Sequence, residues 1–342
     1  MKKIKNILKR IYAIFEDIKD KNLRVSVIIT LCVIFAGALI YGVKNIGYSK
    51  IVLLKKADDY YVQEHYFKAA QYYSKAADLD RNNPEIYFAY ASALVKTGNF
   101  DAAIKNFKKV LDINPGNAEA YYALGDAYCR KAALGNNASE YDNAEAALAK
   151  AIEAAPNMEK AYVLMGECLR ANAKTDEARF WYSKALTVKG FDKAGFYNLI
   201  GHTFFEEKKY KEASDYYGKA VAANPSFVAA YCNLGDMLVK MGDDQNAIET
   251  YAKAADVNWK SAIAYVKMAE IYYKRVEYDS VLDMCVKALS VNPEDAKANY
   301  LTGMVYRTWG RESQGIDYLK RAAYYGSDEA VVELRNAGVD LR

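Results

Sequence analysis

Residues 194–227 read AGFYNLIGHTFFEEKKYKEASDYYGKAVAANPSF. Large apolar side chains fall at Tyr197, Ile200 and Phe204, with Gly201 between them. After a break come Ala213, Tyr217, Ala220 and Pro225. Each half carries a stripe at helical spacing, so the stretch predicts two amphipathic helices packed face to face. Gly201 and Ala213 have too little side chain to hold the helices apart. Pro225 lacks the N–H that would continue the second helix, so the chain turns there.

The same design recurs along most of the chain. Eight stretches can be laid end to end: Lys50–Asn83, Pro84–Asn117, Ala118–Met158, Glu159–Lys193, Ala194–Phe227, Val228–Ser261, Ala262–Asp295 and Ala296–Glu329. Position 8 of each is small: Ala57, Ala91, Gly125, Gly166, Gly201, Gly235, Ala269 and Gly303. Position 27 is alanine except at Val110, and the prolines at 84, 115, 156, 225 and 293 all lie at repeat boundaries. This pattern resembles the tetratricopeptide repeat, whose period is about 34 residues. The resemblance implies an all-α, right-handed solenoid of about eight helix-turn-helix repeats over residues 50–329, with a C-terminal capping helix within 330–342. Departures are local. Arg81, Gly190, Trp259 and Ser327 stand where the closing proline would be, Val281 and Gly315 replace a second-helix alanine, and Cys285 replaces an aromatic. Seven extra residues around Cys129–Tyr141 predict a longer helix ended by Gly135-Asn136-Asn137. Ser327 reads as the N-cap of the terminal helix, with Asp328 and Glu329 favourable near its positive end, and Gly338 as its C′ residue.

Ahead of the repeats the composition changes. Residues 1–24 form a basic amphipathic segment, with Ile4, Ile7, Leu8, Ile11, Phe15 and Ile18 on one helical face. Such a helix suits the headgroup layer of an anionic membrane, or serves as a charged flank to the next segment. Residues 25–43, VSVIITLCVIFAGALIYGV, carry no charge. A helix of that length just spans the roughly 30 Å hydrocarbon core, so one transmembrane helix is expected. Ala36-Gly37-Ala38 has the form of a signal-peptidase site, and Cys32 invites a lipoprotein reading. The apolar run continues past the first, and Leu31 precedes the second where a small residue is wanted, so an uncleaved anchor is favoured. Residues 44–49 form a short linker. Basic residues are denser before the span than after it, which puts the N-terminus in the cytoplasm and the repeats outside it, in the periplasm of a bacterium.

The net charge of +4 sits in the N-terminal segment. Residues 1–44 carry nine lysines and arginines against three acids, and the remainder 38 against 40, so nucleic acid is not an expected partner of the repeats. The five cysteines, at 32, 129, 168, 232 and 285, share no C-x2-C spacing and lie apart, which argues against zinc and against a disulfide framework. They read as small apolar side chains. Phosphate-binding, dinucleotide, nucleophile-elbow and zinc-protease motifs are absent, and His65 and His202 lie four repeats apart. No catalytic residue, cofactor or metal is expected.

What remains is a binding surface. In the tetratricopeptide family the first helix of each repeat lines the concave face, mainly through positions 2, 5, 9, 12 and 13. Carried onto this chain, the candidate groove residues are Tyr122, Asp126, Arg170, Asn198, His202, Phe205, Asn233, Asp236, Val266, Glu270 and Tyr273. The acids among them are candidates for i, i+4 pairing, as Asp126/Arg130, Asp236/Lys240 and Glu270/Lys274. The expected partner is a protein or peptide segment with apolar anchors and some basic residues. The Hsp70/Hsp90-tail binders of the family clamp a carboxylate with Lys and Asn, then Asn, then Lys and Arg. Here Asn233 and Lys267 match, but Asn198, His202 and Ile263 do not, so that clamp is not expected. The implied function is a membrane-anchored interaction scaffold, by topology similar to bacterial proteins of secretion or envelope assembly. A cytoplasm-facing adaptor, or an import receptor, is the alternative.

Overall fold

The computed structural model describes Thr30, Val33, residues 49–135 and residues 137–339. The basic segment, most of the apolar span, residues 44–48 and the last three residues lie outside the described residues. No helix among the described residues is long and apolar enough to cross a membrane. Helix and turn account for the described chain, with no strand among the described residues.

The chain divides into two compact units, 1–147 and 148–342. The first holds α1 (49–62), α2 (Tyr66–Leu79), α3 (Pro84–Lys96), α4 (Phe100–Ile113), α5 (Ala118–Gly135) and the start of α6 (Ala138–Ala154). Ser49 is already helical, and the rest of the expected linker lies outside the described residues. α5 runs on to Gly135 as the insertion predicted. The extra turn is tied down by Lys131, which pairs with Asp101 at 2.7 Å and Glu140 at 2.6 Å. Asn83 opens α3 by accepting from Glu85 and Ile86 N–H, and Pro84 supplies the fixed φ of a first helical residue. Cys129 is buried and disulfide-bonded.

The second unit holds the rest of α6, then α7 (Glu159–Ala171), α8 (Thr175–Ala185), α9 (Lys193–Glu206), α10 (Tyr210–Ala223), α11 (Val228–Lys240), α12 (Asp244–Val257), α13 (Ala262–Lys274), α14 (Tyr278–Val291), α15 (Ala296–Thr308), α16 (Glu312–Tyr324) and α17 (Asp328–Asn336). Helices adjacent in sequence from α7 to α17 pack on one another. Cys232 and Cys285 are buried thiols, whereas Cys168 is disulfide-bonded. Cys129 and Cys168 therefore correct the expectation of plain apolar side chains, because linear spacing does not report which sulfurs are oxidised.

The core follows the motif. Position 27 is fully buried in all eight repeats: Ala76, Val110, Ala151, Ala185, Ala220, Ala254, Ala288 and Ala322. Val281 is fully buried at an alanine position, so the extra methyls are accommodated. The small residue at position 8 makes room for the aromatic at position 24. A Cβ on Gly201 would lie 2.8 Å from the Tyr217 ring, and one on Gly235 2.5 Å from the Tyr251 ring. The last helix is capped as expected, Ala330 N–H donating to Ser327 Oγ at 3.2 Å, with Gly338 at φ +70° after it.

The turn between the two helices of a repeat was not legible in advance. Position 15 adopts a positive φ in seven repeats, at Glu64, Gly98, Ala173, Lys208, Gly242, Val276 and Gly310. Only three of these are glycine, so the turn is imposed by the packing of the helices it joins and not by its own residue.

Candidate functional site

Three consecutive first helices of the second unit, α9, α11 and α13, line a cavity of about 290 Å3. α9 supplies His202 and Phe205, α11 supplies Asn233, Asp236, Val239 and Lys240, and α13 supplies Lys267, Glu270 and Lys274. Tyr217 and Tyr251 reach it from the second helices α10 and α12. Helical spacing explains the set. Positions 6, 9 and 13 lie three or four residues apart, so they share one face of each first helix.

Asp236 is held from two sides. It accepts the Tyr251 hydroxyl at 2.6 Å and lies 2.9 Å from Lys267 Nζ. Burial, then the hydrogen bond to Asp236, push the Tyr251 phenol well above its ordinary value. The same arrangement recurs in the first repeat, where the Tyr73 hydroxyl donates to Asp58 at 2.5 Å. The pair forms where position 9 is aspartate; with Glu167 at position 9 of the fourth repeat, the buried Tyr182 hydroxyl has no hydrogen-bond partner among the described residues. Tyr217 lacks an acid at position 9 of its own repeat, which holds His202, and burial alone leads its rise to about 12.

Glu270 has no tyrosine to receive, because Cys285 occupies position 24. It lies 3.8 Å from Lys297 of the next repeat, which Glu329 also holds, at 2.9 Å. The expected pairs Asp236/Lys240 and Glu270/Lys274 are thus replaced by contacts to the following repeat. A cation one repeat on competes successfully with one a turn away on the same helix. Lys240 and Lys274 are exposed, and no hydrogen bond or ion pair engages them among the described residues. His202 Nδ1 is buried without a hydrogen-bond partner among the described residues, 3.7 Å from Glu206 Oε1.

The other candidates divide. Phe205 lines the cavity and is 36 % exposed, edge-on to His202. Asn233 lines it and donates to Asn198 Oδ1 at 2.8 Å, so a ladder of amides links two repeats. Arg170 is taken up by Glu206, through its Nε at 3.1 Å and a second, shorter contact, and Glu206 is held below its ordinary value by that guanidinium. Val266 belongs to the core: it is 8 % exposed and packs with Ala269, Val281 and Leu301. Tyr273 packs against the same cluster and against Tyr278 rather than into the cavity. Both corrections have one cause, since a first-helix position near the groove also borders the next repeat. Tyr122 and Asp126 lie in the other compact unit, where Asp126 makes the expected pair with Arg130 at 2.8 Å. Lys240 and Lys274 were not among the candidates, although position 13 marked them as facing the groove, and Lys267 entered only as a match to the tail clamp. No cluster of three metal-binding side chains occurs among the described residues.

Family models match this chain over much of its length. One described as TPR repeat covers residues 91–131 and 201–242, and three described as tetratricopeptide repeat cover 63–105, 137–194 and 228–258. The chain belongs to the tetratricopeptide repeat family, a class of helical protein-interaction scaffold. It is 25 % identical over 186 residues to the Hsp70-Hsp90 organizing protein of Triticum aestivum, a match covering 53 % of this chain and 30 % of that protein. It is 27 % identical to the TPR repeat-containing protein MJ1428 of Methanocaldococcus jannaschii, over 55 % of this chain and 33 % of that one. It is 21 % identical to the mitochondrial import receptor subunit TOM70 of Homo sapiens, over 60 % and 34 %. The chain spans about a third of the length of these relatives. Among solved structures, it is similar to pilF of Pseudomonas aeruginosa, with 22 % identity, a TM-score of 0.49, and 64 % of this chain and 97 % of that one covered.

Proposed function

We propose that this protein is an interaction scaffold that holds an extended segment of a partner protein along the first-helix groove of α9, α11 and α13, with no catalysis of its own. The observation that carries this reading is the cavity itself. It combines an exposed aromatic, Phe205, with amide and charged groups on three successive helices. An apolar side chain of the partner enters beside Phe205 and Val239, and Asn233 meets its backbone. Aromatics dominate such interfaces because they contribute large contact area at low entropic cost.

The scaffold is further read as anchored in a membrane by residues 25–43, with residues 1–24 cytoplasmic and the repeats on the far side. The uncharged run of residues and the basic excess before it support this. A role in secretion or envelope assembly suits that topology. A cytoplasm-facing adaptor is the alternative, and the names of two relatives, a chaperone organiser and an import receptor, favour it.

The test is titration of the full chain with groove-binding peptides, alongside melting curves. Phe205→Ala is expected to weaken binding by about 1–3 kcal/mol while leaving the melting curve in place. Tyr273→Ala is expected to lower the melting temperature instead, because its ring packs on the core. Full affinity in a folded Phe205→Ala variant would remove the groove from consideration.

A further inference from the structure

The free charges of this cavity have one sign. Both carboxylates face lysines: Asp236 is held by Lys267 and Tyr251, and Glu270 lies near Lys297. Lys240 and Lys274 keep their charge unmatched at the cavity wall, at position 13 of successive repeats. A partner residue that is basic would have to displace a lysine already in place to reach Asp236. A partner carboxylate meets two cations that no hydrogen bond or ion pair engages among the described residues. Phe205, Met237, Val239 and Ile271 give the cavity an apolar wall, beside the neutral polar groups of Asn233 and Tyr217.

Resting on the groove reading above, we propose that the partner segment is acidic. Side-chain carboxylates of an extended peptide pair with Lys240 and Lys274, while an apolar neighbour enters beside Phe205. This reverses the sign expected from the acids of the motif. It also differs from the tail clamp of the family, because neither lysine stands at a clamp position and no chain terminus is required. A peptide is favoured over a nucleic acid because the repeats carry no basic excess and the cavity retains two carboxylates and an apolar wall. Charges arranged in this way act mainly on partner choice and association rate.

The experiment is selection of short random peptides, displayed without a free C-terminus, on the full chain. Selected sequences are then synthesised with amidated ends and titrated. The expected result is enrichment of Asp and Glu next to an apolar residue. Lys240→Glu with Lys274→Glu should lower affinity about tenfold or more, and selection on that variant should return Lys and Arg. The charge-matched variant Lys219→Glu with Lys253→Glu, on exposed second-helix positions, should bind like the parent. Peptides lost with Phe205→Ala but indifferent to the Lys240 and Lys274 reversal would overturn the acidic partner and keep the groove. Peptides indifferent to both would overturn the groove as well. Displacement of the acidic peptides by any single-stranded oligonucleotide at equal charge would overturn the choice of a peptide partner.

Discussion

Asp236 and Glu207 illustrate how a carboxylate's neighbours decide its use. Asp236 reads from the sequence as an available groove acid, yet Tyr251 and Lys267 occupy it. Its availability depends on what stands fifteen residues later and one repeat away, which no local pattern reports. Glu207 was not a candidate at all. Lys209, Thr175 and Arg179 surround it at 2.7, 2.7 and 2.6 Å, tying α8 to the end of α9. Those hydrogen bonds, led by the one from Lys209, hold its carboxyl at about 2, against an ordinary 4.5. Because the folded value is depressed, the stabilisation is complete above pH 4.5 and is lost as pH falls towards 2. Glu207→Gln should cost about 1–2 kcal/mol at neutral pH and flatten the acid limb of stability in that window. Equilibrium unfolding at several pH values checks this, and parallel acid limbs for parent and variant would contradict it.

At the scale of elements, the helices were legible and the turns were not. Apolar spacing and small residues at position 8 marked the helix pairs, because those features recur eight times in phase, and five prolines marked boundaries between them. The left-handed residue at position 15 escaped notice, because four of its seven occupants are not glycine. Val276 is the most strained of them, a β-branched residue at φ +63° with its side chain 63 % exposed. Val276→Gly is therefore expected to stabilise the protein by about 1 kcal/mol, since strain is relieved and little packing is lost. Two helical glycines should respond oppositely to alanine. Gly218 has open space where a Cβ would go, so Gly218→Ala should gain roughly 0.5–1 kcal/mol. Gly235→Ala would drive a methyl into the Tyr251 ring and should lose about 1–3 kcal/mol. Chemical denaturation of the three variants separates these signs. A destabilised Val276→Gly would mean that the turn residue contributes packing after all.

At the scale of the whole molecule, repetition made the fold readable and left the site only half readable. Of the candidates the motif named, His202, Phe205, Asn233, Asp236 and Glu270 line one cavity. The motif did not separate groove from core at Val266 and Tyr273, because both border the next repeat. Nor did it report that Asp236 and Glu270 lie near lysines of the following repeat. The central claim is that a partner segment lies on the first helices of the second unit. The most direct measurement is photocrosslinking of a selected peptide to the full chain, with a photoreactive side chain placed in turn at Val239, in the cavity, and at Phe180, exposed on the second helix α8. The account expects a crosslink from Val239, competed away by unlabelled peptide, and none from Phe180. Competable crosslinking from Phe180 with none from Val239 would contradict it.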